Sequence, residues 1–428
     1  MLMALDKKNA EKLREKQNQG TRYPYNFLLN ANGNIKTTSV NNVKIIIEND
    51  PLLAGVFRFN EFTQNIDVVR NVSKLHIDKG KMSDDYSLEI LSYIESEAKY
   101  GHTTFKDKLV RDALVLAARA NSYNPIITYF DICYQNWDRK ERLANFFPDY
   151  LGVEKSAFTE WVTKLFFVGA VAKAYNPKIK FDQVLDLVGG QGAGKTTLAK
   201  RVSPLGYYTD DFNTFTKKDD LSKTRDALII NDDEMTATNK ASFEELKKFC
   251  SKQEFRYRLP YGRGIEVFPR QFVMVRTTNE RYYLKDQTGN RRFMPLLCDI
   301  DKQKYHPVTD LTDNLVKQLW GEAVYLYKSG EFSLEIDRNH LMLIELNADK
   351  FKYSDDFENK VDEALENDFE DQDFISNEEL HMHIAPETNF SRNKKMSQKL
   401  QYIMVAKYGF EKTRRRIKGK LTYGYLRK

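Results

Sequence analysis

The sequence has 428 residues, of which 41% are hydrophobic and 30% charged, and this composition predicts a folded globular protein with more than one domain. No apolar run approaches the length of a membrane span, and the first residues lack the apolar core of a secretory signal, so we expect no membrane partner. The net charge is only +6, and the three cysteines are too far apart for a zinc pair or a disulfide framework. These features predict a protein of a reducing cytoplasm.

The first 125 residues combine strand-like and helical patterns and predict an N-terminal α+β domain for assembly or partner binding. The run NVKIII (42–47) is strand-like, whereas DKLVRDALVLAARAN (107–121) repeats its apolar residues at helical spacing. Residues 124–175 are also largely helical in pattern. The predicted buried face of the 107–121 helix is formed by Leu109, Ala113, Leu116 and Ala117.

Four short apolar runs then alternate with helical stretches. The first, FDQVLDLV (181–188), predicts a buried strand that leads directly into a glycine-rich loop and a helix. The others are ALII (227–230), QFVMVRT (271–277) and RRFMPLLC (291–298). This alternation predicts an α/β domain over 126–345 that binds its ligand at the carboxyl ends of the strands.

The glycine-rich stretch LVGGQGAGKTTL (187–198) fits the phosphate-binding pattern G-x-x-x-x-G-K-[ST] in full. Glycines let the backbone N–H groups surround a phosphate, and the positive end of the following helix adds to the attraction. We expect Lys195 to reach the β- and γ-phosphates of ATP, and the Thr196 hydroxyl to bind Mg²⁺. The predicted nucleotide-binding residues are Gly189, Gly190, Gln191, Gly192, Ala193, Gly194, Lys195, Thr196 and Thr197.

An acidic cluster ends the second strand, in ALIINDDEM (227–235). Hydrolysis needs acidic groups for Mg²⁺ and for the attacking water. We expect Asp232 or Asp233 to join Thr196 in the Mg²⁺ shell, and Glu234 or Asp233 to orient or deprotonate the water. The pattern leaves open which acid takes which role.

Two further polar features follow the third strand. Asn279 ends QFVMVRTTN and is expected to hold the water or to sense the γ-phosphate. Arg291 and Arg292 fit two interpretations equally well: an arginine supplied to the nucleotide of a neighbouring subunit, or a surface ion pair.

Between the acids and Asn279, the run RYRLPYGRGIEVFPR (256–270) predicts a β-hairpin with a glycine-flanked tip. Cations that meet phosphates and rings that stack on bases suit a single strand of DNA, although a plain surface hairpin fits the same pattern. The predicted DNA contacts here are Arg256, Arg258, Tyr261 and Arg263.

The charge changes sign near the C-terminus. Residues 355–379 hold twelve acids and one lysine, whereas 391–428 hold thirteen Lys or Arg and one acid. This switch predicts an acidic linker (346–373) followed by a basic module (374–428).

Within the basic module, the capping box from Ser376 to Glu379 predicts a short helix, and a second helix has Met396, Leu400, Ile403 and Met404 on one face. Two strands around a Lys418–Gly419 turn complete a pattern that looks like a winged helix for duplex DNA, with a disordered basic tail as the alternative. The predicted DNA-binding residues are Arg392, Asn393, Lys394, Gln398, Lys399, Arg414, Arg415 and Arg416.

The order of these features resembles the superfamily 3 helicases, a branch of the P-loop AAA+ ATPases. The stretches NPIITYF, LVGGQGAGKTTL, RYRLPYGR, PRQFVMVRTTNE and DQTGNRRFMP are similar to the virulence-associated protein E family of phages and mobile bacterial islands, over roughly 42–296. The resemblance implies a replicative helicase in the cytoplasm of a bacterial host that assembles as a ring, often a hexamer. It also implies that Glu234 is the second acid, 256–267 the hairpin that pulls DNA, Asn279 the sensor, and Arg291 or Arg292 the arginine that acts in trans.

Our hypothesis is an ATP-dependent DNA helicase and replication initiator that binds origin duplex and single-stranded DNA, with host replication proteins as possible partners. Two other classes fit the sequence. One is a helicase loader or packaging-type ATPase without unwinding activity, and the other is a DNA-binding regulator switched by nucleotide.

Overall fold

The computed structural model describes residues 22–258, 264–284, 290–352, 356–370, 372–384, 394–417 and 419–427. Contacts divide the chain into two compact units. The first comprises the described residues up to Asn279 together with Arg291–Ile344, and the second comprises Glu280–Asn290 with Glu345–Lys428. In the described part of the chain, no helix is long and apolar enough to cross a bilayer.

The N-terminal part of the first unit has its own hydrophobic cluster, which draws on buried residues between Tyr23 and Ala118. It contains a three-stranded antiparallel sheet in the order β1-β2-β3 with three helices. These elements are α1 (Val40–Asn49), β1 (Phe57–Asn60), β2 (Asn65–Val68), β3 (Gly80–Lys81), α2 (Tyr86–Ser96) and α3 (Asp107–Ala120).

Two expectations for this part are wrong. The run 42–47, predicted as a strand, lies inside α1, because Val43, Ile46 and Ile47 pack into the cluster at helical spacing and this burial outweighs the strand preference of β-branched residues. The helix at 107–121 was predicted correctly, but its buried face is shifted by one residue. Leu116 is exposed and Leu109 only partly buried, while the buried residues are Val110, Ala113, Leu114, Ala117 and Ala118.

The larger part of the first unit begins with three helices, as the helical pattern of 124–175 predicts. Asn124 caps the first of them by accepting hydrogen bonds from the N–H groups of Ile126 and Ile127, and Pro125 occupies the first helical position. The helices from here to the end of this unit are α4 (Pro125–Gln135), α5 (Leu143–Leu151), α6 (Ala157–Tyr175), α7 (Lys195–Val202), α8 (Lys218–Arg225), α9 (Thr236–Lys240), α10 (Phe243–Ser251), α11 (Asp313–Ser329) and α12 (Arg338–Ala348), whose last residues enter the second unit.

A five-stranded sheet forms the centre of this part, and its strands are the four apolar runs plus one short edge strand. The strands, with a separate hairpin, are β4 (Val184–Val188), β5 (Tyr208–Thr209), β6 (Ile229–Asp232), β7 (Glu254–Tyr257), β8 (Glu266–Pro269), β9 (Val273–Thr278) and β10 (Phe293–Leu297). The sheet order is β10-β4-β9-β6-β5, and every pair is parallel. The molecule is therefore a mixed α/β protein in which β4, β9 and β6 are neighbours.

The second unit packs three helices against a small antiparallel sheet in the order β11-β13-β12. The Ser376 hydroxyl accepts from Glu379 N at 3.1 Å and Glu379 Oε2 accepts from Ser376 N at 3.3 Å, which confirms the capping box. The elements are α13 (Asp356–Asn367), β11 (Phe374–Ser376), α14 (Asn377–Ile384), α15 (Lys394–Tyr402), which continues as a π-helical turn (Ile403–Lys407), β12 (Glu411–Ile417) and β13 (Lys420–Leu426).

The segment predicted as an acidic linker holds a packed helix instead. On α13, Phe357, Val361 and Leu365 are buried in the same cluster as Leu400 and Tyr425, whereas Glu363 and Glu366 are exposed. Acidic composition hid an amphipathic pattern, because a few apolar residues at helical spacing suffice to anchor a short helix.

Candidate functional site

Three neighbouring strands bring the predicted nucleotide residues to one edge of the large sheet. β4 leads into the glycine loop (residues 189–194), β6 ends at the acids, and β9 ends at Asn279. Parallel strands place all three ends on the same side, where α/β proteins bind ligands. A cavity of about 380 Å³ opens there, and it is lined by Gln191, Gly192, Gly194, Lys195, Thr196, Thr197, Asp233, Glu234, Thr277, Thr278, Asn279 and Val308.

The glycine loop is held in a conformation that other residues would strain. Gly194 precedes α7 with φ +75°, in the left-handed region, and a Cβ there would approach Pro307 to 2.8 Å. At Gly189 a Cβ would lie 2.3 Å from the backbone oxygen of Cys298. The backbone of the loop therefore packs directly against the segment that follows β10.

Lys195 lines the cavity although its side chain is largely buried. Its Nζ donates to the backbone oxygens of Gly189 at 2.6 Å and Gly190 at 2.8 Å, and to Asn279 Oδ1 at 3.1 Å. Burial lowers the pKa of Lys195, and Asp233 and Glu234 oppose this shift. The structure thus links the end of β4 to the end of β9 through one ammonium group.

Asp233 is the acid that meets the glycine loop. Its Oδ1 accepts from Thr196 Oγ1 at 2.6 Å and from Thr277 Oγ1 at 2.7 Å. Thr277 also accepts from the backbone N–H of Glu234 at 3.0 Å. Glu234 is exposed at the cavity and adopts a left-handed backbone conformation with φ 51° and ψ 25°.

Asp232 does not reach the cavity. Its carboxylate is buried on the opposite face of the sheet and accepts from the N–H groups of Ala237 and Thr238 and from the Thr238 hydroxyl, at 2.6 to 2.9 Å. Burial raises its pKa, and these hydrogen bonds lower it. Neighbouring side chains at the end of a strand point to opposite faces, and of the two aspartates only Asp233 lines the cavity.

The two arginines differ in their surroundings. Arg292 Nε lies 3.2 Å from Asp182 Oδ2 and donates to Ser251 Oγ at 3.2 Å, so it is held within its own chain. Arg291 is exposed, and it forms no hydrogen bond or ion pair with the residues that the structure describes. Neither arginine lines the cavity.

The predicted hairpin is present as β7 and β8, which pair antiparallel with Tyr257 opposite Glu266. Arg256 and Arg258 are exposed, and Arg256 binds Glu254 at 2.6 Å. Tyr261 and Arg263, at the predicted tip, lie outside the described residues.

The predicted C-terminal contacts fall mainly on α15 and on the ribbon formed by β12 and β13. Arg414, Arg415 and Arg416 are all exposed on β12, and Gln398 is exposed on α15. Lys399 is half-buried, with its Nζ 5.6 Å from the ring centre of Phe357. Lys394 is the first residue of α15, whereas Arg392 and Asn393 lie outside the described residues.

Sequence reasoning missed four residues near the site: Thr277, Thr278, Val308 and Asn231. Thr277 could have been found from the RTTN run, since alternate residues of β9 face the acids. Val308 lines the cavity from a loop more than one hundred residues away from Lys195, and no local pattern signals this approach.

The donor set at the cavity fits a magnesium ion held together with a nucleotide. Within the described ranges, no group of three His, Cys, Asp or Glu side chains could hold a metal by itself. Mg²⁺ commonly takes one or two protein oxygens and completes its shell with phosphate and water. Thr196 Oγ1 and the Asp233 carboxylate supply such oxygens, next to a loop that can surround phosphates.

These features define the chain as a mixed α/β protein with a polar cavity at the carboxyl ends of adjacent parallel strands. The family model of the virulence-associated protein E-like domain matches residues 131–352, slightly more than half of the chain. The chain therefore belongs to the virulence-associated protein E-like family, which confirms the predicted resemblance. No curated protein matches the sequence.

Solved structures similar to the chain include three of the NrS-1 C-terminal region, all described as apo. Two of them are of the A form, and each has a TM-score of 0.42. They are 14% and 16% identical to this chain, and each comparison covers 69% of this chain and 78% of the solved one. The third has a TM-score of 0.44 at 13% identity and covers 87% of this chain and 96% of its own.

Proposed function

We propose that this chain is an ATP-dependent DNA helicase and replication initiator with a P-loop AAA+ core of the superfamily 3 type. The observation that carries the proposal is the meeting of Lys195, Asp233, Glu234 and Asn279 in one cavity at the ends of three neighbouring strands. A structural glycine turn would not require a lysine, two acids and an amide from three separate strands to converge.

Each residue has a definite task in this proposal. The N–H groups of the glycine loop and the Lys195 ammonium bind the phosphates of ATP, so the ammonium exchanges its present contacts with the loop carbonyls for phosphate oxygens. Thr196 and Asp233 would hold Mg²⁺, which neutralises charge on the phosphates. Glu234, exposed at the cavity, accepts the proton of the attacking water, and Asn279 orients that water or the γ-phosphate.

The DNA-binding part of the proposal rests on two basic elements. The hairpin β7–β8 would contact one strand of DNA, through the predicted tip with Arg263. The second unit, with helices α13 to α15 and the β12–β13 ribbon, has the element order of a winged helix, and its exposed arginines suit the phosphates of duplex DNA. We propose a ring, such as a hexamer, in which Arg291 completes the site of the next subunit.

Unwinding of a forked duplex tests the helicase activity. Lys195→Ala should lower ATP hydrolysis and unwinding by about 100-fold or more, as loss of one essential charged contact does. Lys200→Ala, an exposed lysine on the same helix, serves as the matched control and should retain both activities. A wild-type protein that hydrolyses ATP but never unwinds the fork would favour a helicase loader or packaging ATPase.

Arg263→Ala separates translocation from hydrolysis. The substitution removes a cation from the predicted hairpin tip and leaves the cavity residues intact, so it should abolish unwinding while basal ATP hydrolysis stays within about twofold. Unwinding at the wild-type rate would reduce the hairpin to a surface feature.

A further inference from the structure

A third donor fixes Asp233, besides the two threonines. Asn231 Nδ2 lies 3.3 Å from Asp233 Oδ1, so hydrogen bonds from α7, β9 and β6 all converge on the same carboxylate oxygen. Oδ2 of Asp233 accepts no hydrogen bond from the residues that the structure describes. The convergence of donors on one oxygen leaves the other oxygen available to the cavity.

The amide of Asn231 is itself held in one orientation. Asn231 is fully buried, and the same Nδ2 donates to the Tyr208 hydroxyl at 3.1 Å. The Tyr208 hydroxyl in turn donates to Asp210 Oδ2 at 3.2 Å, so it is an acceptor toward Asn231. A reversed amide would place its oxygen against the Asp233 carboxylate, and this repulsion favours the orientation in which both amide hydrogens are used.

Tyr207, the residue before Tyr208, contacts the N-terminal three-stranded sheet. The Tyr207 hydroxyl accepts from Asn60 Nδ2 at 2.9 Å, at the end of β1, and the Tyr207 ring meets Phe62 edge-to-face at 5.3 Å. The backbone oxygen of Tyr207 accepts from the N–H groups of Leu228 and Ile229, where β6 begins. Two adjacent tyrosines at the edge of the large sheet thus contact the N-terminal sheet and the acidic strand.

We propose that Asn231 is a positioning residue for Asp233 and that the Tyr207–Tyr208 pair links this acid to the N-terminal sheet. This inference rests on the proposed nucleotide-binding function of the cavity. The contact of Asn60, at the end of β1, with the Tyr207 hydroxyl fixes the position of the edge strand β5. The Tyr208 hydroxyl of that strand orients the Asn231 amide, and the amide holds Asp233 with Oδ2 toward the metal. The N-terminal three-stranded sheet consequently contributes to the metal affinity of the nucleotide site.

The test measures the binding of a fluorescent ADP analogue to the full chain, with Mg²⁺ and again with EDTA. The ratio of the two affinities reports the gain that the metal supplies, without any need for hydrolysis. Asn231→Ala should reduce this gain about tenfold and Tyr208→Phe about threefold, because a donor to a charged group is lost or misaligned. Tyr207→Phe should reduce it about twofold through the same path, while affinity in EDTA stays unchanged in all three variants.

Tyr325→Phe on α11 is the matched control, since it removes a tyrosine hydroxyl that donates to the carboxylate of Glu331, and neither residue lines the cavity. A Tyr208→Phe protein with the wild-type metal gain would overturn the positioning role, even if Asn231→Ala fails to fold. A loss in Tyr208→Phe with none in Tyr207→Phe would retain positioning and overturn the link to the N-terminal sheet. Absence of nucleotide binding by the wild type would instead refute the proposed function.

Discussion

At the scale of single residues, the backbone at Glu234 is the least expected feature of the site. Glu234 and Met235 both have φ near 51°, a left-handed conformation that costs about 1 kcal/mol or more for each residue other than glycine. The Thr277 hydroxyl holds the Glu234 N–H, and the strained turn presents the carboxylate to the cavity while Asp233 faces Thr196. This geometry separates the two acids and favours Glu234 as the base.

Glu234→Gln keeps the size of the side chain and removes its capacity to accept a proton. We expect nucleotide affinity within about twofold of the wild type and a turnover lower by roughly 100-fold to 10,000-fold, which is the usual contribution of a general base. Single-turnover hydrolysis and equilibrium binding measure the two quantities separately. Glu244→Gln, an exposed acid on α10, is the control. Hydrolysis at the wild-type rate in Glu234→Gln would assign the base to Asp233.

At the scale of elements, the sequence predicts the four longer strands of the large sheet better than the edge strand β5 and the contacts between strands. The four apolar runs all contain strands, whose bounds differ from the prediction by at most three residues. The edge strand β5 has two residues and no apolar pattern, so it could not be found. The contact of Thr277 with Asp233 depends on β9 lying beside β6, and such a strand order follows from packing of the whole chain.

The β12–β13 ribbon and α15 give distinct expectations for DNA binding. Arg415 is exposed on β12 opposite Thr422, where it can contact phosphates. Arg415→Ala should therefore weaken binding to every duplex alike and reduce the dependence of binding on salt.

Gln398 is an exposed amide on α15 that can contact base edges, and Gln398→Ala should reduce discrimination between sequences by about 1–3 kcal/mol. Titrations with origin and scrambled duplexes at two salt concentrations distinguish these effects. Equal discrimination in Gln398→Ala would remove α15 from base recognition.

At the scale of the whole molecule, an arginine in trans requires a head-to-tail contact between subunits. Because Arg292 is held by Asp182 and Ser251, its alanine variant should mainly lower stability, and Arg291 is the residue that a neighbour can use. Mixtures of Lys195→Ala and Arg291→Ala subunits should regain hydrolysis at interfaces that combine one intact lysine with one intact arginine. Full hydrolysis by a monomer, measured together with its mass in solution, would contradict a composite site.

The division into two units fixes where the chain can be shortened to test origin recognition. A cut after Asp373 would leave α13 without Leu400 and Tyr425, its partners in the hydrophobic cluster of the second unit. The shortened protein should therefore be unstable. A cut after Lys352 removes the whole cluster and keeps the isolated bridge between Leu284 and Lys352, as well as every residue that lines the cavity.

The protein cut after Lys352 should therefore hydrolyse ATP and unwind a preformed fork, and it should lose its preference for duplex origin DNA. The full chain should keep that preference, and its affinity should fall steeply with salt because each neutralised phosphate releases a counterion. The measurement is a binding titration of both proteins with origin and scrambled duplexes at two salt concentrations. If the shortened protein still prefers the origin, recognition belongs to the remaining chain, and the basic segment 391–428 acts as a general tether to DNA.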